Sequence, residues 1–287
     1  MNYAGLEGEY SDFTNAGIVI VPVPFGGTST WLKGAENGPN AILEASQNLE
    51  LYDIETKTEV YKKLIHTSSP IIADNSEKVV DLVKDKITEL IEKNKYPVVI
   101  GGEHTVSIGS MIAHAEKEDI TIVQLDAHSD MRDEYIDEKN DYSRDKFNHA
   151  CVMARAKETA PVVQIGIRSM DSSEIKSINE DNLFLAMDVI DNDSWIDKAI
   201  AKTKKCVYVT IDLDVLDPGI MPSVCTPEPG GLLWYPTLRF LKRLSEKREI
   251  TGFDVVELCP NKFNKAPDFL AAKLIYTFLS YIFSNKK

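Results

Sequence analysis

A short segment, "DAHSD" (126–130), carries three side chains that can bind a proton or a metal ion. It comes just after the apolar run "ITIV", and Asp126, His128 and Asp130 occupy alternate positions in it. In extended backbone alternate residues face the same side, so the three side chains are expected to point into one cavity. Carboxylates and imidazoles beside an apolar strand lose hydration, which is costly unless a cation or a hydrogen-bond network compensates. The segment therefore predicts a metal site.

Three other apolar runs end in residues of the same kind. "GGEH" ends in His104, "DLD" supplies Asp212 and Asp214, and Glu257 directly follows the run "TGFDVV". Together with the first segment these give four aspartates and two histidines, which exceed the needs of one first-row ion and suit two. Oxygen and nitrogen donors without thiolate favour manganese or a similar divalent ion over structural zinc.

The charges of this predicted site indicate the sign of its substrate. Four aspartates (−4) balance two divalent ions (+4), and a bridging hydroxide together with Glu257 would leave the site at about −2, which favours a cationic substrate. A single Asp after a strand is commonly a helix cap or turn former, and Asp217 before Pro218 is assigned to that class. His66 and His114 are interpreted as ordinary surface or helix residues.

The elements that must position these residues alternate along the chain as strands and helices. Runs rich in Val and Ile, typical of strands buried on both faces, cover 17–23, 96–102, 119–125, 161–167, 183–187, 206–211 and 251–256. Segments of helical period cover 39–48, 76–93, 105–117, 192–203, 236–247 and 267–283. The pattern predicts a three-layer α/β/α sandwich around a mainly parallel sheet of at least seven strands. Ligands of such folds bind at the carboxyl ends of the strands, where the ionisable residues fall.

Composition narrows the class of protein. The 287 residues are predicted to form one domain, 1–287, and the net charge of −13 argues against nucleic acid or an anionic membrane as the main partner. The N-terminus lacks the basic and apolar blocks of a signal peptide, and the apolar C-terminal segment is too short to span a membrane, so a soluble, cytoplasmic protein is expected. The four cysteines are widely spaced and predict neither a zinc ribbon nor a redox motif.

Taken together, "GGEH", "DAHSD" and "IDLDVLDP" resemble the motifs of the ureohydrolases, the arginase and agmatinase family, in order from about residue 17 to 260. The resemblance implies an α/β sandwich around a parallel eight-stranded sheet, a binuclear manganese site, and a homo-oligomer, commonly a trimer or hexamer. One manganese is then held by His104, Asp126, Asp130 and Asp212. The other is held by Asp126, His128, Asp212 and Asp214.

The same resemblance implies roles for three residues around the metals. His149 in "FNHACV" matches the mobile histidine that shuttles protons, and Glu257 in "VVELCP" matches the carboxylate that binds the guanidinium group. Asp130 is the expected proton donor to the leaving amine. The implied reaction is hydrolysis of a guanidino group to urea and an amine.

Two departures from the family pattern fall near the expected pocket. Ala150 and Cys151 follow the shuttle histidine where the family has Gly, and "SVCTP" (223–227) replaces "GTGTP". Cys151 and Cys225 are thus candidates for the pocket lining, with inert packing as the other interpretation. The acidic segment 131–149 resembles the agmatinase branch and favours agmatine, which has no carboxylate, with putrescine and urea as products. Aminopropylagmatine, guanidinobutyrate and arginine are the other substrates considered.

Three other functions are compatible with parts of this pattern. Deacetylases share the sheet topology but use a single zinc and lack the paired carboxylate motifs. A two-metal phosphoesterase requires cationic groups for its anion, and only Arg132 and Arg168 lie near the motifs, while Glu257 would repel phosphate. The third is a catalytically silent metal-binding or assembly protein.

Overall fold

The Val- and Ile-rich runs form one parallel sheet. The computed structural model describes residues 1–137 and 143–284. Its strands are β1 (Ile18–Val23), β2 (Ile65–Thr67), β3 (Tyr96–Gly101), β4 (Ile120–Leu125), β5 (Tyr135–Asp137), β6 (Ser143–Asp145), β7 (Val162–Ile167), β8 (Leu183–Leu185), β9 (Cys206–Asp212) and β10 (Glu249–Val256). Eight of them make a sheet in the order β2-β1-β3-β10-β9-β4-β7-β8, and every neighbouring pair is parallel.

Helices cover both faces of this sheet. They are α1 (Gly38–Ser46), α2 (Ser76–Glu92), α3 (Ser107–Lys117), α4 (Val152–Lys157), α5 (Ala186–Val189), α6 (Ser194–Ala201), α7 (Trp234–Lys247) and α8 (Ala266–Ser284). Side chains of α2, α3 and α4 pack on one face of the sheet, and those of α1, α5, α6, α7 and α8 pack on the other. Because both faces are covered, all six residues of β1, β4 and β7 are buried, as the continuous apolar runs require.

The predicted fold class, a three-layer sandwich around a parallel sheet, is confirmed. The sequence did not predict β2, α4 or the antiparallel pair β5 and β6. Strands of three residues such as "IHT" are too short to show a period, and "YID" and "SRD" are mostly polar. The predicted strand 183–187 ends at Leu185, because Ala186 begins the short helix α5.

Strand order explains why the ionisable segments can meet. β3, β10, β9 and β4 are consecutive in the middle of the sheet, and each is followed by one of the segments that the sequence singles out. Since all four strands run the same way, their carboxyl ends lie at one edge of the sheet. The ionisable segments are therefore expected to meet at this edge.

The apolar C-terminal segment belongs to the protein core. α8 buries thirteen of its nineteen residues against the sheet and neighbouring helices. Among the described residues, no helix combines the length and apolar character needed to cross a membrane.

Candidate metal centre

The loop after β4 contributes Asp126, His128 and Asp130. Asp126 immediately follows the strand, and its Oδ2 accepts a hydrogen bond from Gln124 Nε2 at 2.7 Å. Asp130 has a φ of 51°, in the left-handed region, so this loop is not an extended strand continuation. The backbone also bends at Ala127, so the regular alternation of an extended strand, which was the expected arrangement, does not describe how the three side chains meet.

A turn also arranges the aspartates after β9. Asp212 caps a short 3-10 helix, Leu213–Val215, and its Oδ1 accepts a hydrogen bond from the Asp214 backbone N–H at 2.9 Å. Asp214 Oδ1 in turn accepts from the Ala127 backbone N–H at 2.9 Å. This last bond joins the loop after β9 to the loop after β4, which fixes the two carboxylate-bearing segments against each other.

His104, after β3, is the most deeply buried of the predicted ligands together with Asp126. Its Nδ1 lies 3.2 Å from Asp126 Oδ2, 3.1 Å from Asp130 Oδ2 and 3.5 Å from Asp212 Oδ2. None of these contacts is an aligned hydrogen bond, so the buried nitrogen is without a hydrogen-bond partner. A buried polar atom facing three carboxylates in this way fits a metal ligand.

The other ring nitrogen of His104, Nε2, is held by a side chain of β9. Nε2 lies 2.8 Å from Thr210 Oγ1, and that hydroxyl donates to Asp254 Oδ1 at 2.6 Å. Because the single hydroxyl proton goes to the carboxylate, Thr210 accepts from His104 Nε2–H, and Nδ1 is the nitrogen that would release its proton when a metal binds. Asp254 also accepts a hydrogen bond of 2.6 Å from the Tyr208 hydroxyl.

His128 occupies a more open place. Its Nδ1 lies 2.8 Å from Asp214 Oδ2 and 3.8 Å from Asp126 Oδ1, and its Nε2 lies 3.7 Å from Glu228 Oε1. The side chain is 24% exposed, against 1% for His104. Burial lowers the pKa of His128, but the hydrogen bond to Asp214 and the negative charges of Asp214, Asp126 and Asp130 together outweigh it and raise that pKa to about 10.

These contacts define two overlapping groups. The deep cluster is His104, Asp126 and Asp130, and the outer cluster is Asp126, His128 and Asp214. Within each cluster one ligand atom from every residue lies within 4.8 Å of the others, and Asp126 belongs to both. Asp212 stands beside the deep cluster through its contact with His104. The structure thus brings together all six residues that the sequence selected.

The buried carboxylates of the two clusters require positive charge nearby. Burial, reinforced by the charges of Asp214 and Asp130, raises the pKa of Asp126 to about 7. Burial together with Asp214 and Asp126 raises the pKa of Asp212 well above its ordinary value. Burial opposes protonation of His104, but Asp126 and Asp130 outweigh it and raise its pKa well above 6.5. Protons or metal cations must compensate these carboxylates, and the oxygen and nitrogen donors fit a divalent ion of the manganese type.

A cavity of about 370 Å³ opens onto this edge of the sheet. Its lining includes His104, His128, Asp130, Asp212 and Asp214, together with His149 and Glu257. Glu257 has a φ of 68°, and its Oε1 accepts a hydrogen bond from the His104 backbone N–H at 2.8 Å. Burial, followed by the charge of Glu103, raises the pKa of Glu257 to about 8. Such a carboxylate is stabilised as an anion by a cationic ligand in the cavity.

His149 also lines the cavity, and it is the first residue of a short 3-10 helix, His149–Cys151. Asn148 caps this helix by accepting from the Ala150 backbone N–H. Burial lowers the pKa of His149 below its ordinary value, so the imidazole is neutral at neutral pH. A neutral imidazole at a cavity wall can both accept and release protons.

Other sequence interpretations have mixed outcomes. Asp217 forms a turn, accepting backbone hydrogen bonds from Gly219, Gly230 and Gly231. His114 lies on α3 as expected of a helix residue, but it is buried against the Tyr208 ring, with centroids 4.9 Å apart, and is not at the surface.

Among the described residues that line the cavity, neither Cys151 nor Cys225 occurs, and both thiols are buried. Residues 138–142 of the acidic segment 131–149 lie outside the described residues.

The sequence did not reveal the residues that support the histidines of the site. Hydrogen bonds reach these histidines, directly or through one intermediate side chain, from Thr28, Glu103, Thr210 and Asp254. Asp254 offered the clearest signal, since it is a carboxylate inside an apolar strand. Thr28 offered none, because its partners are 75 and 121 residues away in the chain.

Known proteins are similar to this chain in sequence and in fold. The family model described as "Arginase family" matches residues 16–280. A protein of Synechocystis named N(1)-aminopropylagmatine ureohydrolase is 40% identical over 284 residues, covering 94% of this chain and 90% of its own. An agmatinase of Pyrococcus horikoshii is 29% identical and covers 92% of each chain. The solved agmatine ureohydrolase of Thermoplasma volcanium superposes with a TM-score of 0.85 at 30% identity, covering 99% of this chain and 95% of its own.

Proposed function

This chain belongs to the arginase family of ureohydrolases, and we propose that it hydrolyses a linear guanidino amine to urea and a shorter amine with two manganese ions. The observation that carries the proposal is the pair of histidine–carboxylate clusters sharing Asp126 at the floor of a cavity beside Glu257. Each feature answers a need of the chemistry. A guanidinium carbon is a poor electrophile, so a strong nucleophile and a firm grip on the cation are both required.

The two proposed ions would share some of their ligands. One would be held by His104, Asp126, Asp130 and Asp212, and the other by Asp126, His128, Asp212 and Asp214. When bound, a pair of divalent ions lowers the pKa of water towards neutrality and so supplies a nucleophile. Asp126 belongs to both clusters, so its carboxylate would contribute to the binding of each ion.

The residues of the chain supply orientation and proton transfer. Glu257 binds the guanidinium by charge and fixes its carbon near the clusters, as its position on the cavity wall allows. Asp130 takes a proton from the attacking water and passes it to the amine nitrogen as the carbon–nitrogen bond breaks. His149, which also lines the cavity, exchanges protons between the cavity and solvent.

The cavity favours a guanidine without a carboxylate. Asp171 and Glu174 line it, and the guanidinium of Arg132 lies 3.6 Å and 3.5 Å from these two carboxylates. Arg168 donates to the backbone carbonyls of Asp214 and Glu228 at 2.6 Å and 2.8 Å. Both arginines are therefore engaged, which disfavours the α-carboxylate of arginine and the phosphate of a phosphoester.

Among carboxylate-free guanidines, two candidates are supported by different relatives. Agmatine, which yields putrescine, is favoured by the agmatinase of P. horikoshii and the agmatine ureohydrolase of T. volcanium. N1-aminopropylagmatine, with a longer cationic chain, is favoured by the higher identity to the Synechocystis protein, 40% against 29%. We place the longer amine first and agmatine second.

Urea release from a substrate panel tests the proposal. Metal-free protein is loaded with manganese and given N1-aminopropylagmatine, agmatine, guanidinobutyrate and arginine, each over a range of concentrations that extends to saturation. We expect urea from the first two, with kcat/KM at least about tenfold above that for arginine, and almost none from a His128→Ala variant. A preference for arginine would refute the substrate class. Manganese binding without urea from any guanidine would favour the catalytically silent metal-binding protein.

A further inference from the structure

A chain of hydrogen bonds runs behind His149 that the proposed mechanism does not use. His149 Nδ1 lies 3.0 Å from Thr28 Oγ1, and this hydroxyl donates to Glu103 Oε1 at 2.7 Å. The Glu103 side chain is fully buried, although it immediately precedes the ligand His104. Three distant segments of the chain thus meet: the loop after β1, the end of β3 and the start of the helix that holds His149.

Counting donors and acceptors fixes the protons along this chain. A hydroxyl has one proton and two lone pairs, and a carboxylate can only accept. Glu103 accepts the Thr28 hydroxyl proton, so Thr28 Oγ1 can only accept from its neighbours. It accepts the backbone N–H of His149 at 3.1 Å and lies 3.3 Å from the Thr105 hydroxyl; at the shorter distance of 3.0 Å it accepts Nδ1–H of the ring, because it has no proton left to give to that nitrogen. The neutral imidazole is therefore the Nδ1–H tautomer, with the Nε2 lone pair left for the cavity.

Glu103 is anchored independently of the histidine. It also accepts from the Thr28 backbone N–H at 2.8 Å and the Ser29 hydroxyl at 3.0 Å. The orientation of the acceptor is thus set before the imidazole docks on it. On its other side the ring of His149 faces the Tyr135 ring, with centroids 6.2 Å apart, which leaves room for some ring movement. The bond to Thr28 is the contact that selects one orientation.

We propose that Thr28 and Glu103 are positioning residues that hold the His149 imidazole with Nδ1–H towards Thr28 and its Nε2 lone pair towards the cavity. This inference rests on the proposed function for the role of His149 as a proton relay. The arrangement follows the general logic in which a buried acceptor orients an imidazole for proton transfer, here through a hydroxyl. It assigns a purpose to a buried carboxylate that is not itself a proposed metal ligand.

Isosteric variants of Thr28 separate positioning from packing. Thr28→Val removes the hydroxyl and keeps the shape and the backbone N–H that Glu103 accepts. Thr28→Ser keeps the hydroxyl and removes a methyl group. With manganese and the better substrate of the panel, we expect kcat of Thr28→Val to fall about 10- to 100-fold, with KM and bound manganese within about twofold of wild type. Thr28→Ser should recover most of the rate.

Added imidazole distinguishes lost proton transfer from general damage. It should restore part of kcat in Thr28→Val and in His149→Ala, and it should leave wild type unchanged. The proposal is overturned if Thr28→Val turns over like wild type, if it loses manganese, or if imidazole does not help it.

The tautomer can be read without turnover. In protein labelled with ¹⁵N-histidine, the His149 ring, assigned by its absence from His149→Ala, should give a protonated Nδ1 and an unprotonated Nε2 above its pKa. In Thr28→Val the Nε2–H form should become populated. A wild type that releases no urea yet shows the Nδ1–H tautomer would refute the proposed function and leave the hydrogen-bond assignment standing, whereas an active wild type with the opposite tautomer would refute this inference alone.

Discussion

His104 and His128 hold corresponding places in the deep and outer clusters, yet their surroundings differ. The side chain of His104 is 1% exposed, and its Nε2 is fixed by the buried chain through Thr210 to Asp254. The side chain of His128 is 24% exposed, and its Nε2 faces Glu228 at 3.7 Å. In the deep cluster the protein core therefore orients the histidine, whereas in the outer cluster the histidine is itself partly exposed and faces Glu228, a carboxylate that is 31% exposed.

This difference separates two tasks within one site. Buried second partners fix the ring and its tautomer, which keeps the geometry of the deep cluster independent of solvent. An exposed histidine costs less to desolvate and less to rearrange, so the outer cluster is suited to exchange of ions and ligands. Substitutions on the two sides should consequently fail in different ways.

The most severe test removes the residue that both clusters share. Asp126→Asn keeps the size of the side chain and removes a charge that contributes to each cluster. We expect a loss of both manganese ions and a fall in kcat of at least about 10³-fold, equivalent to about 4 kcal/mol. Metal analysis and urea release measure the two effects. Asp119→Asn, an exposed carboxylate paired with Lys204, is the control and should retain both. Retention of one ion in Asp126→Asn would show that the clusters do not depend on a common ligand.

Alanine substitutions of the two histidines compare the clusters directly. His104→Ala leaves a buried gap above Thr210 and removes the positive charge among the deep carboxylates. In metal-free protein it should lower the free energy of unfolding by about 2–4 kcal/mol. His128→Ala, at the more open position, should cost about 1 kcal/mol or less while still impairing manganese binding. Unfolding in urea with metal chelated gives both values, and equal losses would contradict the proposed division of tasks.

Thr210→Val tests the buried support of the deep cluster alone. The substitution keeps the volume and removes the hydroxyl that links His104 to Asp254. We expect manganese affinity, measured by competition with a chelating dye, to fall about 10- to 100-fold. Thr210→Ser should restore it. If Thr210→Val binds manganese as wild type does, the hydrogen bond from Thr210 is not needed to orient the ring of His104.

The last prediction concerns the change in the free energy of unfolding with pH that arises from His114, which packs against Tyr208 in the core. Burial lowers the pKa of His114 to about 3, against about 6.5 in an unfolded chain. The depressed value means that the unfolded state binds the proton first, so stability is full above about pH 6.5 and is lost as the pH falls towards 3. His114 should thus contribute a loss of about 2 kcal/mol between pH 8 and pH 5.

A His114→Leu variant isolates that contribution. The free energy of unfolding of wild type minus that of the variant should fall by about 2 kcal/mol between pH 8 and pH 5, because the variant has no proton to gain at this position. The value at pH 8, where the histidine is neutral in both states, reports packing alone. A difference that is constant with pH would mean that His114 is accessible to protons in the folded protein.

Much of the architecture could be predicted because its signals are local. A parallel strand buried on both faces must be apolar along its whole length, so β1, β4 and β7 are visible as runs of Val and Ile. Ionisable residues directly after such runs then mark the edge where the strands end. The short strand β2 and the polar pair β5 and β6 lack these signals, and their pairing depends on neighbours distant in the chain.

The details of the site depend on conformations that the residue types do not specify. Asp130 and Glu257 adopt positive φ angles that are uncommon for residues other than glycine, and tertiary contacts must hold them there. The supporting chain from Thr28 to Glu103 and His149 forms only after segments 75 and 121 residues apart have packed. The residue types therefore predicted which side chains gather at one edge of the sheet, whereas their arrangement and its supporting contacts required the structure.

The position of β10 has a consequence for biosynthesis. This strand is the last of the eight in chain order, yet it lies between β3 and β9 in the middle of the sheet. Until residues 249–256 have left the ribosome, β3 and β9 have no strand to join them, and His104 remains separated from Asp212. The edge of β3 therefore stays open while residues 102–248 are made, whereas β9 waits only for residues 213–248, and an open edge of this kind exposes the nascent chain to premature association.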